Sequence, residues 1–183
     1  MKIKIFLSGN PKSGKTSLVK KIVEEFGIDN FYGFWTEEIR ENKVRTGFII
    51  KTTWGEERKL ADVNIRTPYR VGKYFVLKEN IDNVAKKMLD ELENNIDKII
   101  LIDEIGKMEM YSEYFNELVK VILEENYNIL AVVHRNYVHL VPVYYWLDKG
   151  KWWDTYSKIK NDIAKIFKYR NTKNSHGYQS KSR

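Results

Sequence analysis

Eight consecutive residues, Gly9-Asn10-Pro11-Lys12-Ser13-Gly14-Lys15-Thr16, match G-x-x-x-x-G-K-[ST] at every fixed position. The glycines let the backbone curl so that successive N–H groups point inward, an arrangement that binds phosphate oxygens. Lys15 supplies a mobile positive charge for the outer phosphates of a nucleoside triphosphate, and Thr16 offers a hydroxyl to Mg²⁺. Pro11 has no N–H and stands where the loop needs no donor. The whole run from Gly9 to Thr16, including Asn10, Lys12 and Ser13, is the expected nucleotide-binding loop.

A carboxylate pair completes the chemistry. Asp103 and Glu104 follow the apolar run Ile99-Ile100-Leu101-Ile102. An Asp at the end of such a strand holds Mg²⁺ together with the loop hydroxyl, so Thr16 and Asp103 are the expected metal pair. A Glu directly after that Asp polarises attacking water in one large branch of the nucleotide hydrolases that use this loop. Glu104 is therefore the expected catalytic base, with Lys15 as its catalytic partner. Asp103-Glu104-Ile105-Gly106 as a whole is expected to border the nucleotide. The same four residues fit D-x-x-G, a GTPase pattern, but no N-K-x-D exists to read guanine: Asn42-Lys43 is followed by Val44-Arg45.

Charge developing on the transferred phosphoryl group calls for a further cation or sensor. Arg135 and His134 follow the apolar strand at 128–133, at the sheet edge where α/β ligands bind, and Lys107 lies just past the carboxylates. Arg40 and Arg45 flank a hairpin turn and read as solvated or lid-like. Glu37 and Glu38, adjacent on a strand, face opposite ways and cannot act as one acid–base pair. Among five tryptophans, Trp35 and Trp54 are the expected candidates to stack on a base.

These side chains need elements to hold them. A β-rich run at 3–7 leads into the loop, and Leu18, Val19, Ile22, Val23 and Phe26 then recur at helical spacing up to Gly27. Strands are expected at 32–40, 46–53 and 57–63, with a short one at 74–77 inside a long loop. Ile81, Val84, Ala85, Met88, Leu89 and Leu92 mark a helix capped by Asn80, and a second helix starts at Tyr111 and carries Phe115, Leu118, Val119 and Ile122. Helices are expected again at 137–147 and 156–168. Apolar strands alternating with amphipathic helices indicate an α/β fold with a mainly parallel sheet and an added antiparallel hairpin.

The 183 residues are 43% hydrophobic, enough for one sizeable core. Lys and Arg number 32 against 25 acidic residues, and five of the basic ones fall in the last sixteen positions with no acidic partner. Without that stretch the excess is only +2, so net charge alone makes a weak case for nucleic acid. The chain thus divides into a domain over 1–168 and a basic, flexible tail over 169–183, the only support for nucleic-acid binding. No cysteine is present, which removes disulfides, thiolate metal sites and thiol nucleophiles. No apolar run approaches the roughly 18 residues of a membrane span, and the N-terminal run is too short for a secretory leader. A monomer in the cytoplasm, without membrane contact, is expected.

Taken together, these segments resemble the small P-loop nucleoside-triphosphatases of thermophilic archaea and bacteria, whose animal member is the cancer-related nucleoside-triphosphatase. The resemblance is carried by GNPKSGKTSLVKKI at 9–22, GFWTEEIR at 33–40, RTGF at 45–48, VGKYFV at 71–76 and ILIDEIGKME at 100–109. It implies a RecA- or AAA-like three-layer sandwich and Mg²⁺-dependent hydrolysis of ATP, GTP, CTP and UTP with little choice of base. Two other readings stay open. A small-molecule or nucleotide kinase could use the same loop, with an acceptor lid from 56–80 and its Arg58, Arg66 and Arg70. A nucleotide-dependent RNA or partner switch could use the basic tail and the aromatic segment 144–153.

Overall fold

The computed structural model describes residues 2–177. The chain opens on β1 (Lys4–Gly9), turns through the glycine loop into α1 (Lys15–Phe26), and continues to β2 (Phe31–Glu41), β3 (Val44–Thr52) and β4 (Glu57–Asp62). A small hairpin of β5 (Arg70–Val71) and β6 (Tyr74–Val76) precedes α2 (Lys78–Glu91). Then come β7 (Ile99–Ile105), α3 (Glu113–Glu124), β8 (Asn128–Val133), β9 (Tyr145–Leu147) and α4 (Trp152–Gly177).

Among the described residues, nine strands form one sheet in the order β5-β6-β4-β3-β2-β7-β8-β1-β9. From β2 to β9 every pairing is parallel; from β2 outward to β5 every pairing is antiparallel. The antiparallel part is thus larger than the single hairpin the sequence predicts, and the sheet is mixed. The strand that feeds the phosphate loop, β1, is separated from the carboxylate strand β7 by β8.

Strand alternation assigns the two faces. Phe6, Ile100 and Ile102 pack with Phe115, Leu118 and Met88 under α2 and α3. Ile5, Leu7, Ile99 and Leu101 point the other way and pack with Leu18, Ile22, Ile159 and Ile163 of α1 and α4. Helices cover both faces, so the central strands are buried on both sides and read as unbroken apolar runs. The result is the expected three-layer sandwich. Among the described residues, no helix is long and apolar enough to cross a membrane.

Several expected elements differ. The helix at 137–147 does not form. Its place is taken by a 3₁₀ turn over Arg135–Leu140 and then β9, which pairs with Leu7–Gly9 of β1. Pro142 removes a backbone donor and biases Val141 away from helix, so Tyr145-Trp146-Leu147 is free to add a strand. Asn80 is not the cap of α2, which starts at Lys78; its amide instead donates to Lys59 O at 2.7 Å, tying the helix to β4. The cap of α3 is Ser112, whose hydroxyl accepts from Phe115 N at 3.1 Å. The last helix begins at Trp152 and passes the boundary expected at 168 to reach Gly177. Nothing in residues 169–177 breaks a helix, and Arg170 lies over the Phe167 ring one turn back. Residues 178–183 of the expected tail lie outside the described residues.

Candidate active site

The phosphate loop is built where β1 runs out and α1 starts. Gly14 precedes the helix with φ +96°, a conformation most side chains avoid, and a Cβ there would press on the Trp152 ring at 3.0 Å. Lys12 also has positive φ, at +63°. Ser13 N–H donates to Asn10 O at 3.2 Å and closes the turn. Lys15 Nζ folds back across it, donating to Gly9 O at 2.8 Å and Asn10 O at 3.0 Å. Burial holds the Lys15 ammonium below its usual range, opposed by the charges of Glu104 and Asp103. The free N–H groups at the start of α1 add the positive end of the helix dipole to the same spot.

Asp103 and Glu104 arrive from β7, which β8 spaces from β1. Asp103 is 2% exposed, and its Oδ2 is buried with no hydrogen-bond partner. Burial lifts its carboxyl to about 6, held back by the neighbouring Thr16 hydroxyl and by Lys15. Glu104 is lifted further, to about 7, first by burial and then by the charge of Asp103, with Lys15 opposing. Ile105 is buried in the core and anchors the end of the strand; its carbonyl accepts from His134 N at 2.9 Å. Gly106 is needed for space. A Cβ there would sit 2.8 Å from Glu104 Oε1 and 2.9 Å from Glu109 Oε2.

The expected residues divide between two cavities that share Pro11, Lys15 and Glu104; one, of about 620 Å³, is lined also by Gly14, Thr16 and Asp103. The other, of about 380 Å³, touches Gly9, Pro11, Lys15, Glu104, Lys107 and His134. Arg135, next in the chain to His134, donates from Nη1 to Asn10 Oδ1 of the phosphate loop at 3.3 Å. His134 caps the 3₁₀ turn through Nδ1, which accepts from Asn136 N at 3.1 Å, and burial keeps the ring below its usual pKa.

Arg45, expected to be solvated or lid-like, keeps its side chain 39% exposed and takes partners beside the site. It borders the cleft opposite the loop, donates from Nε to Tyr74 Oη at 2.6 Å and from Nη1 to Glu38 Oε1 at 3.1 Å, and lies over the Phe48 ring. Arg40, by contrast, pairs with Glu38 out on the hairpin. Glu37 and Glu38 do take separate partners: Glu37 binds Lys20 and Lys51, which hold its carboxyl down at about 2. Neither Trp35 nor Trp54 reaches the phosphate loop. Trp54 packs on Tyr32, and Trp35 lies in a separate groove between α1 and β2.

Glu109 is the residue that sequence reasoning passed over. It is 3% exposed, forms no ion pair among the described residues, and lines the same cavity as Glu104. Burial, then the charge of Glu104, pushes its carboxyl well above the carboxylate range. The only signal was its place at the end of ILIDEIGKME.

A family model described as "NTPase" matches residues 4–166. The chain belongs to this NTPase family. The matched span holds the phosphate loop, the carboxylate strand and Arg135. The nucleoside-triphosphatase THEP1 of Thermotoga maritima is 39% identical over 134 residues, covering 73% of this chain and 75% of that protein. The crystal structure of THEP1 from the hyperthermophile Aquifex aeolicus superposes with a TM-score of 0.72 at 32% identity, covering 88% of this chain and 96% of that one. The solution structure of a human cancer-related nucleoside triphosphatase gives a TM-score of 0.56 at 25% identity, over 99% of this chain and all of that one. The fold is that of the P-loop NTPases.

Proposed function

We propose that the protein hydrolyses nucleoside triphosphates to the diphosphate and phosphate, with little discrimination among bases. The observation that carries this reading is the meeting of Glu104 with Lys15 and Gly9 around one cavity. The half-buried Glu104 carboxylate lies there beside the phosphate-binding loop, where an attacking water would stand.

In the proposed reaction a water oxygen forms a bond to the γ-phosphorus in line with the departing β–γ bridging oxygen, and the bond to that oxygen breaks. Glu104 orients the water and takes its proton, which suits a carboxyl whose pKa is raised to about 7. Lys15 and the loop N–H groups hold the charge of the outer phosphates without reorganising. Arg135, tethered to Asn10, is the cation we assign to charge building on the γ-phosphoryl oxygens; Lys107 and His134, which line the cavity, are the other candidates for cation and sensor.

The residues fit Mg²⁺. Asp103 Oδ2 is buried and unpartnered, and the Thr16 hydroxyl adjoins that carboxyl, so these two would hold the ion. When bound, it would neutralise phosphate oxygens and draw charge from the leaving diphosphate.

The test is Mg²⁺-dependent phosphate release from ATP, GTP, CTP and UTP by wild type and Glu104→Gln. Release from all four that collapses in the variant while nucleotide binding persists is the expected result. Binding without release in wild type would overturn the hydrolase reading. One observation keeps the kinase reading in view. The cavity beside Lys15 continues to an apolar end formed by Phe48, Leu60, Val71 and Tyr74, largely from the 56–80 segment. A kinase would give diphosphate without matching free phosphate in the presence of an acceptor, so the same assay separates the two.

A further inference from the structure

The sheet order assigns directions along a bound triphosphate. Glu104 and Asp103 stand two strands to one side of β1, past β8, and they mark the end where the γ-phosphate is attacked. The nucleoside must leave the loop on the other side. On that side lies β9, and the turn after β9 folds against the phosphate loop. Leu147 O comes within 3.0 Å of an ideal Cβ on Gly9, and Trp152 Nε1 donates to Gly14 O at 3.1 Å.

Between the two lies a crevice of about 360 Å³, bordered by Pro11, Lys12 and Ser13 on one wall and by Asp148, Gly150 and Trp152 on the other. Its volume lies within the range of about 300–1,000 Å³ usual for small-molecule sites. Neither Glu104 nor Asp103 borders it. The turn is tight, with Lys151 N donating to Asp148 O at 3.1 Å, and an ideal Cβ on Gly150 meets nothing within 4 Å, so the mouth is open.

Trp152 is fixed in this wall from three sides. Tyr156 stacks on one face at 5.5 Å and 5°, Trp153 meets it edge-on at 4.8 Å, and the indole N–H is spent on Gly14 O. Trp152 borders the crevice and Tyr156 does not. A rigid aromatic plane with its only donor already committed has shape to offer a base but no hydrogen-bond readout. Stacking is tolerant of base identity because every base has a π-face.

We propose that this crevice is the nucleoside site: the base stacks on Trp152, and the exposed Asp148 carboxylate accepts from the ribose hydroxyls. This inference rests on the proposed triphosphate reading and supplies a physical cause for its base tolerance.

Two measurements on the full chain test it. First, wild type is irradiated with 8-azido-ATP and the labelled peptide is mapped. Label within 147–153 is expected; label confined to the groove at Trp35 or to the Phe48–Tyr74 cavity would overturn the assignment. Second, dissociation constants for ADP and for inorganic tripolyphosphate are measured by calorimetry in wild type, Trp152→Leu and Trp152→Phe. Loss of the stacked ring should weaken ADP roughly tenfold or more and leave tripolyphosphate within about twofold, while Phe retains most of the ADP affinity. Equal weakening of both ligands in Trp152→Leu would mean that the indole only braces the loop, and would overturn the nucleoside site while leaving the phosphate site standing. Failure of wild type to bind either ligand would overturn the triphosphate reading itself, and this inference with it.

Discussion

Replacing Glu104 by glutamine should yield a protein that is more stable and almost inactive. Glu104 is half-buried beside Asp103, and its carboxyl is raised from 4.5 to about 7. A carboxyl raised in the folded state leaves stability intact below about pH 4.5. It then subtracts stability as the pH climbs toward 7, because the folded chain must pay to ionise it. The full difference is about 3 kcal/mol, reached above pH 7, since each pH unit of displacement corresponds to about 1.4 kcal/mol. Near pH 5 the same relation leaves less than about 1 kcal/mol. Glutamine keeps the shape and never ionises, so the variant should gain that difference at pH 8. For a chain of this size that is roughly 5–10 °C in Tm. Turnover should fall by roughly 10²- to 10⁴-fold, the usual contribution of a positioned base. The assay is thermal unfolding at pH 5 and pH 8 in chelator without nucleotide, paired with phosphate release in Mg²⁺. An equal Tm for both proteins at pH 8 would mean that ionised Glu104 costs the fold nothing, and turnover within tenfold of wild type would mean that it is not the base.

Three further outcomes are expected. Arg135→Ala should lower kcat by roughly 10- to 1,000-fold with a smaller change in KM, as loss of a transition-state cation does; steady-state kinetics check this, and a pure KM effect would refute it. Glu109→Gln should raise Tm at neutral pH, since it removes a buried carboxyl that has no cation partner among the described residues, whereas Glu109→Ala, which also removes the packing behind Gly106 and Glu104, should lower kcat roughly tenfold; Tm and kcat are measured for both. Glu37 is held down at about 2 by Lys20 and Lys51, so its contribution is present above about pH 4.5 and lost as the pH falls toward 2. Because its carboxylate is 26% exposed and its partners more so, Glu37→Gln should cost only about 1 kcal/mol at pH 7 and nothing at pH 2, by denaturant unfolding at the two values.

Much of the catalytic frame was legible in the residues alone. The phosphate loop and the carboxylate pair are local features. Each is held within a few residues by one strand end, so the spacing in the chain carries the geometry. The helices α1, α2 and α3 and the strands β7 and β8 were legible for a related reason: their apolar periodicity records which face is buried. What failed at this level depended on distant partners. The stretch 137–147 contains apolar residues that suit a helix or a strand, and it becomes β9 because the edge of β1 at Leu7–Gly9 accepts it. Arg45 looks like a hairpin charge until β3 is laid in the sheet and Tyr74 and Phe48 turn it toward the phosphate loop.

The residue pattern alone located the loop Gly9–Thr16 at the turn from a strand into a helix and put Asp103 and Glu104 at the end of a buried strand, because backbone curl and strand termination are set by neighbours in the chain. Only the tertiary structure decided that Glu109 stands behind Glu104, that Arg135 touches Asn10, and that Trp152 rather than Trp35 or Trp54 flanks the loop. Those contacts join residues up to 138 positions apart, and their closeness follows from sheet order and helix packing. The pattern of types along the chain does not contain that information.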